Sequence, residues 1–198
     1  MLPINVRWIL LLLGAALSLG APVSTIWKHH AVMTRGVPVK FSLAPIDPYD
    51  PFRGRYVWLN FDLNAAPWAD GEAPEEQTLA AYLSFERDEN GFPSQATLHT
   101  QEPESGLYLQ VDAAFRNHSG EWRFTLPFDR YYLNEADAPQ AERIARDDVG
   151  RRFQDGRLPE RNPEDSYLVV RVLDGATAVE ALYVGGKTIE QRLAEAAE

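Results

Sequence analysis

The chain has 198 residues and 45% hydrophobic content, which suits one compact domain plus an appendage. Its 29 acidic and 19 basic residues give a formal charge of -10, which argues against a nucleic-acid partner, because binding to phosphate backbones needs clustered Lys and Arg. Cysteine is absent, which excludes disulfides and thiolate metal sites but leaves the redox compartment open.

The first element is apolar. Trp8–Trp27 (WILLLLGAALSLGAPVSTIW) carries no charge over twenty residues. At about 1.5 Å per residue it matches the roughly 30 Å hydrocarbon core of a bilayer. Trp8 and Trp27 stand at its ends, where indoles favour the membrane interface. A cleaved signal peptide is the competing reading. The length of the run, and Leu19 where a small residue is wanted before cleavage, favour an uncleaved anchor over residues 1–28. Arg7 precedes the run, while Lys28, Arg35 and Lys40 follow it, so local charge counting slightly opposes export. Long domains nevertheless translocate largely regardless of charge, and a short tail before an apolar run has the form of a signal anchor. The expected partner of residues 8–27 is therefore the membrane, with residues 29–198 as an extracytoplasmic domain.

Lys28–Gly36 reads as a polar connector. Val37–Leu43 (VPVKFSL) alternates as a half-buried strand, with Pro38 suggesting an edge. Ile46–Arg55 (IDPYDPFRGR) is a Pro/Asp turn. In Arg55–Leu63, Val57, Leu59, Phe61 and Leu63 share one face, so the two strands form an antiparallel pair across the turn. Asn64–Gln77 reads as a loop. Thr78–Glu86 and Ser94–Thr100 are strands around Asn90-Gly91, a hairpin signal. Leu107–Phe115 and Glu121–Phe128 form a second hairpin. A helix follows, capped by Asn134 or Asp137, with Pro139 in its first turn and Ala141, Ile144, Ala145, Val149 and Phe153 on one face. Ser166–Leu173 and Ala176–Val184 make a hairpin about Asp174-Gly175. Thr188 and Gln191 are spaced as the capping box of a last short helix. The expected fold class is α+β: an amino-terminal transmembrane helix, then a strand-dominated antiparallel domain with one amphipathic helix.

Few residues point to chemistry. Asp47 and Asp50 form an acid pair that suits cation binding or acid–base work, but the intervening prolines favour bonding to their own turn amides. Arg53 and Arg55 suit a bidentate grip on an anion, or bracing of the same turn. Phe128–Leu133 (FDRYYL) sets Arg130 beside Tyr131 and Tyr132, a lid for the core or an interaction surface. The histidines His29, His30, His99 and His118 lack chelating spacing, so no metal is expected. No nucleophile elbow, phosphate-binding loop or dinucleotide turn occurs, and no cofactor is implied.

The segment around Gly54, Tyr56, Leu59 and Phe61 resembles the signature of the bacterial membrane-anchored GDYXXLXY proteins. Pro45-Ile46-Asp47-Pro48 is similar to that family's lead-in. The resemblance continues through Pro127–Leu133, the helix bearing Glu142 and the last hairpin, so it covers most of the exported domain. Arg55 departs from the motif's aspartate and Phe61 from its tyrosine. The resemblance implies a single-pass protein of the bacterial inner membrane with a periplasmic domain, no established activity and a polytopic membrane protein as partner. The leading expectation is a non-catalytic binding domain. Its alternatives are an envelope hydrolase using Asp47 or Asp50 with Glu142, and an anion-binding module using Arg53, Arg55 and Arg130.

Overall fold

A computed structural model describes residues 4–44, 56–69, 79–116, 121–134, 136–151 and 166–196. The elements run α1 (Ile4–Arg35), β1 (Val37–Ala44), β2 (Tyr56–Trp58), β3 (Asn60–Phe61), β4 (Ala65–Ala66), β5 (Leu79–Arg87), β6 (Pro93–His99) and β7 (Leu107–Arg116). They continue with β8 (Trp122–Thr125), β9 (Arg130–Tyr132), α2 (Ala138–Arg151), β10 (Ser166–Leu173), β11 (Ala176–Val184), β12 (Lys187–Thr188) and α3 (Ile189–Glu195). The domain is strand-dominated, as its alternating sequence requires, and every pair of neighbouring strands is antiparallel.

Two five-stranded sheets, ordered β12-β11-β10-β1-β3 and β4-β8-β7-β5-β6, share one core. Inward residues of the first (Val39, Phe41, Leu168, Val170, Leu182) meet those of the second (Leu83, Phe85, Leu98, Leu109, Phe124). Phe41 is fully buried and ties the layers together, with ring centroids 6.0 Å from Phe85, 6.2 Å from Phe61 and 4.9 Å from Phe128. Each such pair adds about 0.5–1.5 kcal/mol beyond simple burial. A short third ribbon, β2-β9, lies apart from both sheets in strand order.

Local signals explain the connections. The Asp174-Gly175 loop has both φ angles positive, +46° and +75°, as a type I′ hairpin turn requires, and Leu173 pairs with Ala176 across it. Gly175 is needed twice over, because a Cβ there would also lie 2.8 Å from the Tyr108 ring. In the β5–β6 hairpin the Asp88 carboxylate accepts from the Asn90 and Phe92 amides at 3.0 and 2.7 Å. Thr188 and Gln191 complete the capping box of α3 as their spacing predicts. The Asp137 carbonyl takes the Ala141 amide at 2.9 Å, which starts α2, and Ala141 and Ala145 are buried beneath it. Phe153 and the side chain of Val149, expected on the same face, lie outside the described residues.

The structure departs from the sequence expectations at several points, and the strand expected over Arg55–Leu63 is split into β2 and β3. Lys28–Gly36 is not a connector, because α1 runs on to Arg35 and stops where the Gly36 amide meets the Val32 carbonyl at 2.8 Å. A Cβ on Gly36 would lie 2.4 Å from that same oxygen, so the close turn into β1 admits only glycine. The Asn64–Gln77 loop contains β4, which pairs with β8, and Trp68 bridges to Leu98. The expected strand at Glu121–Phe128 stops at Thr125. Pro38 does not mark an edge strand in the sheet order, since β1 lies between β10 and β3. Yet β3 covers only Leu43 and Ala44, so at Pro38 only β10 is paired.

The foot of α1 is held by Val32, which is buried, and by Arg171. Arg171 donates from Nη1 to the Gly36 carbonyl at 3.2 Å and grips Glu180 with Nε and Nη2, at 2.8 and 3.2 Å. Among the described residues no helix is long and apolar enough to cross a membrane. The side chains of residues 4–13, 15–17 and 21, which include half of the apolar run, are not among those described.

Candidate functional site

The segment 56–61 forms two strands that serve different partners. β2 pairs with β9, setting Tyr56 opposite Tyr132, Val57 opposite Tyr131 and Trp58 opposite Arg130. Leu59 then ends β2 while keeping the β9 register, its amide donating to the Asp129 carbonyl at 2.8 Å. β3 leaves that point to pair with β1, Phe61 opposite Leu43. The period-two pattern survives the break: Val57, Leu59 and Phe61 are all buried and Leu63 is partly buried.

Two segments that are distant in sequence thus become neighbours. Tyr131 faces inward and packs on the core, while Tyr132 is 69% exposed, so the tyrosine pair divides between lid and surface. The Tyr131 hydroxyl donates to Glu190 Oε1 of α3 at 2.8 Å. Burial, and then that bond to a carboxylate, push its pKa well above the usual tyrosine value. Arg130 Nε lies 3.4 Å from Asp129 Oδ1, so its charge already has a counter-ion. Glu142 is half-buried on α2, which lies against β2.

A cleft of about 110 Å³ opens beside the motif strand. Leu59, Phe61, Leu63, Phe124 and Leu126 give it apolar walls, and Asn60, Asn64, Thr125 and Asp129 its polar lining. It lies where the chain passes from β3 of one sheet to β4 of the other. No motif in the sequence specifies Asn60, Asn64 or Asp129. The available clue was that asparagine and aspartate are depleted inside strands, so their clustering about a strand pattern marks its interruption.

Asp47, Asp50, Arg53, Gly54 and Arg55 lie outside the described residues, as does the side chain of Tyr56. Of the sequence-selected residues, the structure brings together Leu59, Phe61, Arg130, Tyr131 and Tyr132. Among the described residues, no group of three or more His, Asp or Glu side chains is placed to hold a metal ion. A Ser84 Oγ–His99 Nε2 contact of 2.8 Å lies on the β5–β6 hairpin, away from this site.

The motif strand, its β9 partner and most of the closing hairpin fall within residues 18–182, which match the model of the family described as GDYXXLXY protein. The chain belongs to the GDYXXLXY protein family. No curated protein and no solved structure matches it. Within the GDYXXLXY motif the two central wild-card positions, Val57 and Trp58, lie in β2, while the leucine and the final aromatic position, Leu59 and Phe61, enter the core. The described part of the motif is thus built to hold two sheets and a ribbon together at one point.

Proposed function

We propose that this protein is a membrane-tethered, non-catalytic domain that binds a membrane or envelope protein, with α1 in the bilayer and the strand domain on the extracytoplasmic side. One observation carries the reading. On α1, Leu19, Val23, Ile26 and Trp27 are 64%, 56%, 66% and 78% exposed. Their spacing of four, three and one puts them on a single stripe of the helix. Among the described side chains of α1, the domain covers Val32 near the carboxyl end and leaves that stripe bare. Large exposed apolar faces mark contact with lipid or protein. The charge-free run that includes the stripe has bilayer length.

The test uses the full-length chain in membranes of its source cell. The reading expects retention in the membrane through an alkaline carbonate wash, and crosslinking to a membrane or envelope protein. Release by the wash contradicts the tether. Robust hydrolysis of ester, peptide or glycoside substrates, abolished by Asp47→Asn or Asp50→Asn, contradicts the non-catalytic role and favours the hydrolase.

A further inference from the structure

Only Gly36 separates α1 from the strand domain, because the helix ends at Arg35 and β1 begins at Val37. That residue is buried against the sheet. A Cβ on it would lie 3.0 Å from Arg171 Cβ and 3.3 Å from the Val172 amide nitrogen, so the helix end rests directly on the β10 backbone. Arg171 clasps the junction. Its Nη1 donates to the Gly36 carbonyl while Nε and Nη2 hold the two carboxylate oxygens of Glu180 on β11. The two side chains are 25% and 34% exposed, so this planar fork is partly shielded from water and fixed at three points. Its charge also faces the carboxyl end of α1, where the helix dipole favours a cation.

The contact is short. The domain covers Ala31, Val32 and Met33 wholly or in part, whereas every described side chain from Ser18 to His30 is exposed. A helix folded back over a sheet would bury a stripe along its length, so α1 projects from the domain after one turn. It projects from the end that carries the Asp174-Gly175 turn, since Val37 pairs with Val172 and Leu173 with Ala176. Lys28–Arg35 continues the helix past Trp27, the end of the apolar run, for about 12 Å. The headgroup layer beyond the hydrocarbon is itself about 5–8 Å deep.

We propose that α1 and the strand domain form one rigid body, a strut clasped by Arg171, which holds the Asp174-Gly175 end of the domain close to the membrane surface at a fixed height and angle. Arg171 is the positioning residue. The proposal rests on the reading of α1 as a bilayer anchor, and it makes that anchor a strut rather than a leash. A domain ordered in this way favours a partner held in the same membrane over one free in the envelope, because little orientational freedom is left to lose on binding.

The test measures a distance distribution by double electron–electron resonance on the full-length chain in lipid nanodiscs. The chain has no cysteine, so nitroxides on Lys28→Cys and Gln110→Cys, both exposed positions, label it cleanly. One narrow distribution is expected. A leash variant, with Gly-Ser-Gly-Ser inserted between Arg35 and Gly36, sets the broad limit. Arg171→Ala is expected to widen the distribution about twofold. The urea midpoint of the domain should move little, because Arg171 lies outside the core cluster. Glu180→Gln keeps the shape of the clasp without its charge and is expected to widen the distribution as well, which keeps the test decisive if Arg171→Ala fails to fold. A distribution as broad as the leash variant's in the chain carrying only the labels, or one that both clasp variants leave unchanged, overturns the strut. If that chain still resists the carbonate wash, the anchor reading stands and only the strut fails. Release by the wash with a narrow distribution removes the tether and the membrane placement, while the clasp stands.

Discussion

The β10–β11 hairpin and the motif strand begin with the same pattern, apolar residues at every second position, and end as different objects. The hairpin pairs from Ser166–Val184 to Leu173–Ala176, interrupted by a single bulge near Val170, and its turn closes on two positive φ angles. The motif strand breaks after three residues, gives β2 to a ribbon with β9 and β3 to the edge of a sheet. The difference lies in what surrounds each. The hairpin's partner is the next segment of its own chain, delivered by a turn that fixes the register. The motif strand's partners arrive from β1 and from β9, about seventy residues later by count along the sequence. Its pattern therefore specifies a buried face without specifying a ladder.

Truncating a leucine in each region separates them most sharply. Leu182 is fully buried in the hairpin, so Leu182→Ala is expected to cost about 3–5 kcal/mol. Leu59 is buried as well but lines the cleft, where truncation enlarges a space already open to water, and the expected cost is nearer about 2 kcal/mol. Urea unfolding with unchanged slope measures both, and equal costs would mean that the two regions share one packing regime. Next in size is Gly175→Ala, which forces a side chain into positive φ and against Tyr108, with an expected loss of about 2 kcal/mol. A neutral result there would show that the turn does not depend on glycine.

Smaller effects test the supports of the ribbon. Thr188→Ala removes the cap of the helix that holds Glu190 against Tyr131, and is expected to cost about 1 kcal/mol in thermal or urea unfolding. The tyrosines give a pH dependence with a definite sign. The bond to Glu102 raises Tyr108 from 10.0 to about 12, and burial raises Tyr131. In both, the folded state favours the protonated hydroxyl. Their contribution is thus whole below about pH 10 and is lost as pH rises toward the folded values. Tyr131→Phe should flatten the fall in stability above pH 10. An unchanged alkaline slope in both Tyr131→Phe and Tyr108→Phe would remove these groups from the account.

Much of this fold could be read in advance because its signals are local. Asn90-Gly91, Asp174-Gly175 and the Thr188–Gln191 box each act within a few residues, and each sits where its chemistry requires. The strand-dominated α+β class followed from alternation alone. What escaped the sequence depends on long-range geometry. Nothing near Leu59 announces that its amide will meet the Asp129 carbonyl, and nothing near Ala65 says that two alanines complete a sheet edge. The extension of α1 through Lys28–Arg35 was hidden because those residues are polar, while the helix there is fixed by Val32 and Arg171 packing on β10 and β11. The motif residues were legible, but the use made of Phe61, buried between β1 and the segment that carries Phe128, required the register of β1 and β3.

Site-specific photo-crosslinking in native membranes tests the central claim most directly, by placing the same photoreactive residue at position 64 beside the cleft and at position 176 in the closed hairpin. The account predicts a discrete crosslink to a membrane or envelope protein from position 64 and none from position 176. A crosslink confined to position 176, or the absence of any product from position 64 in a chain that remains membrane-bound, would contradict it.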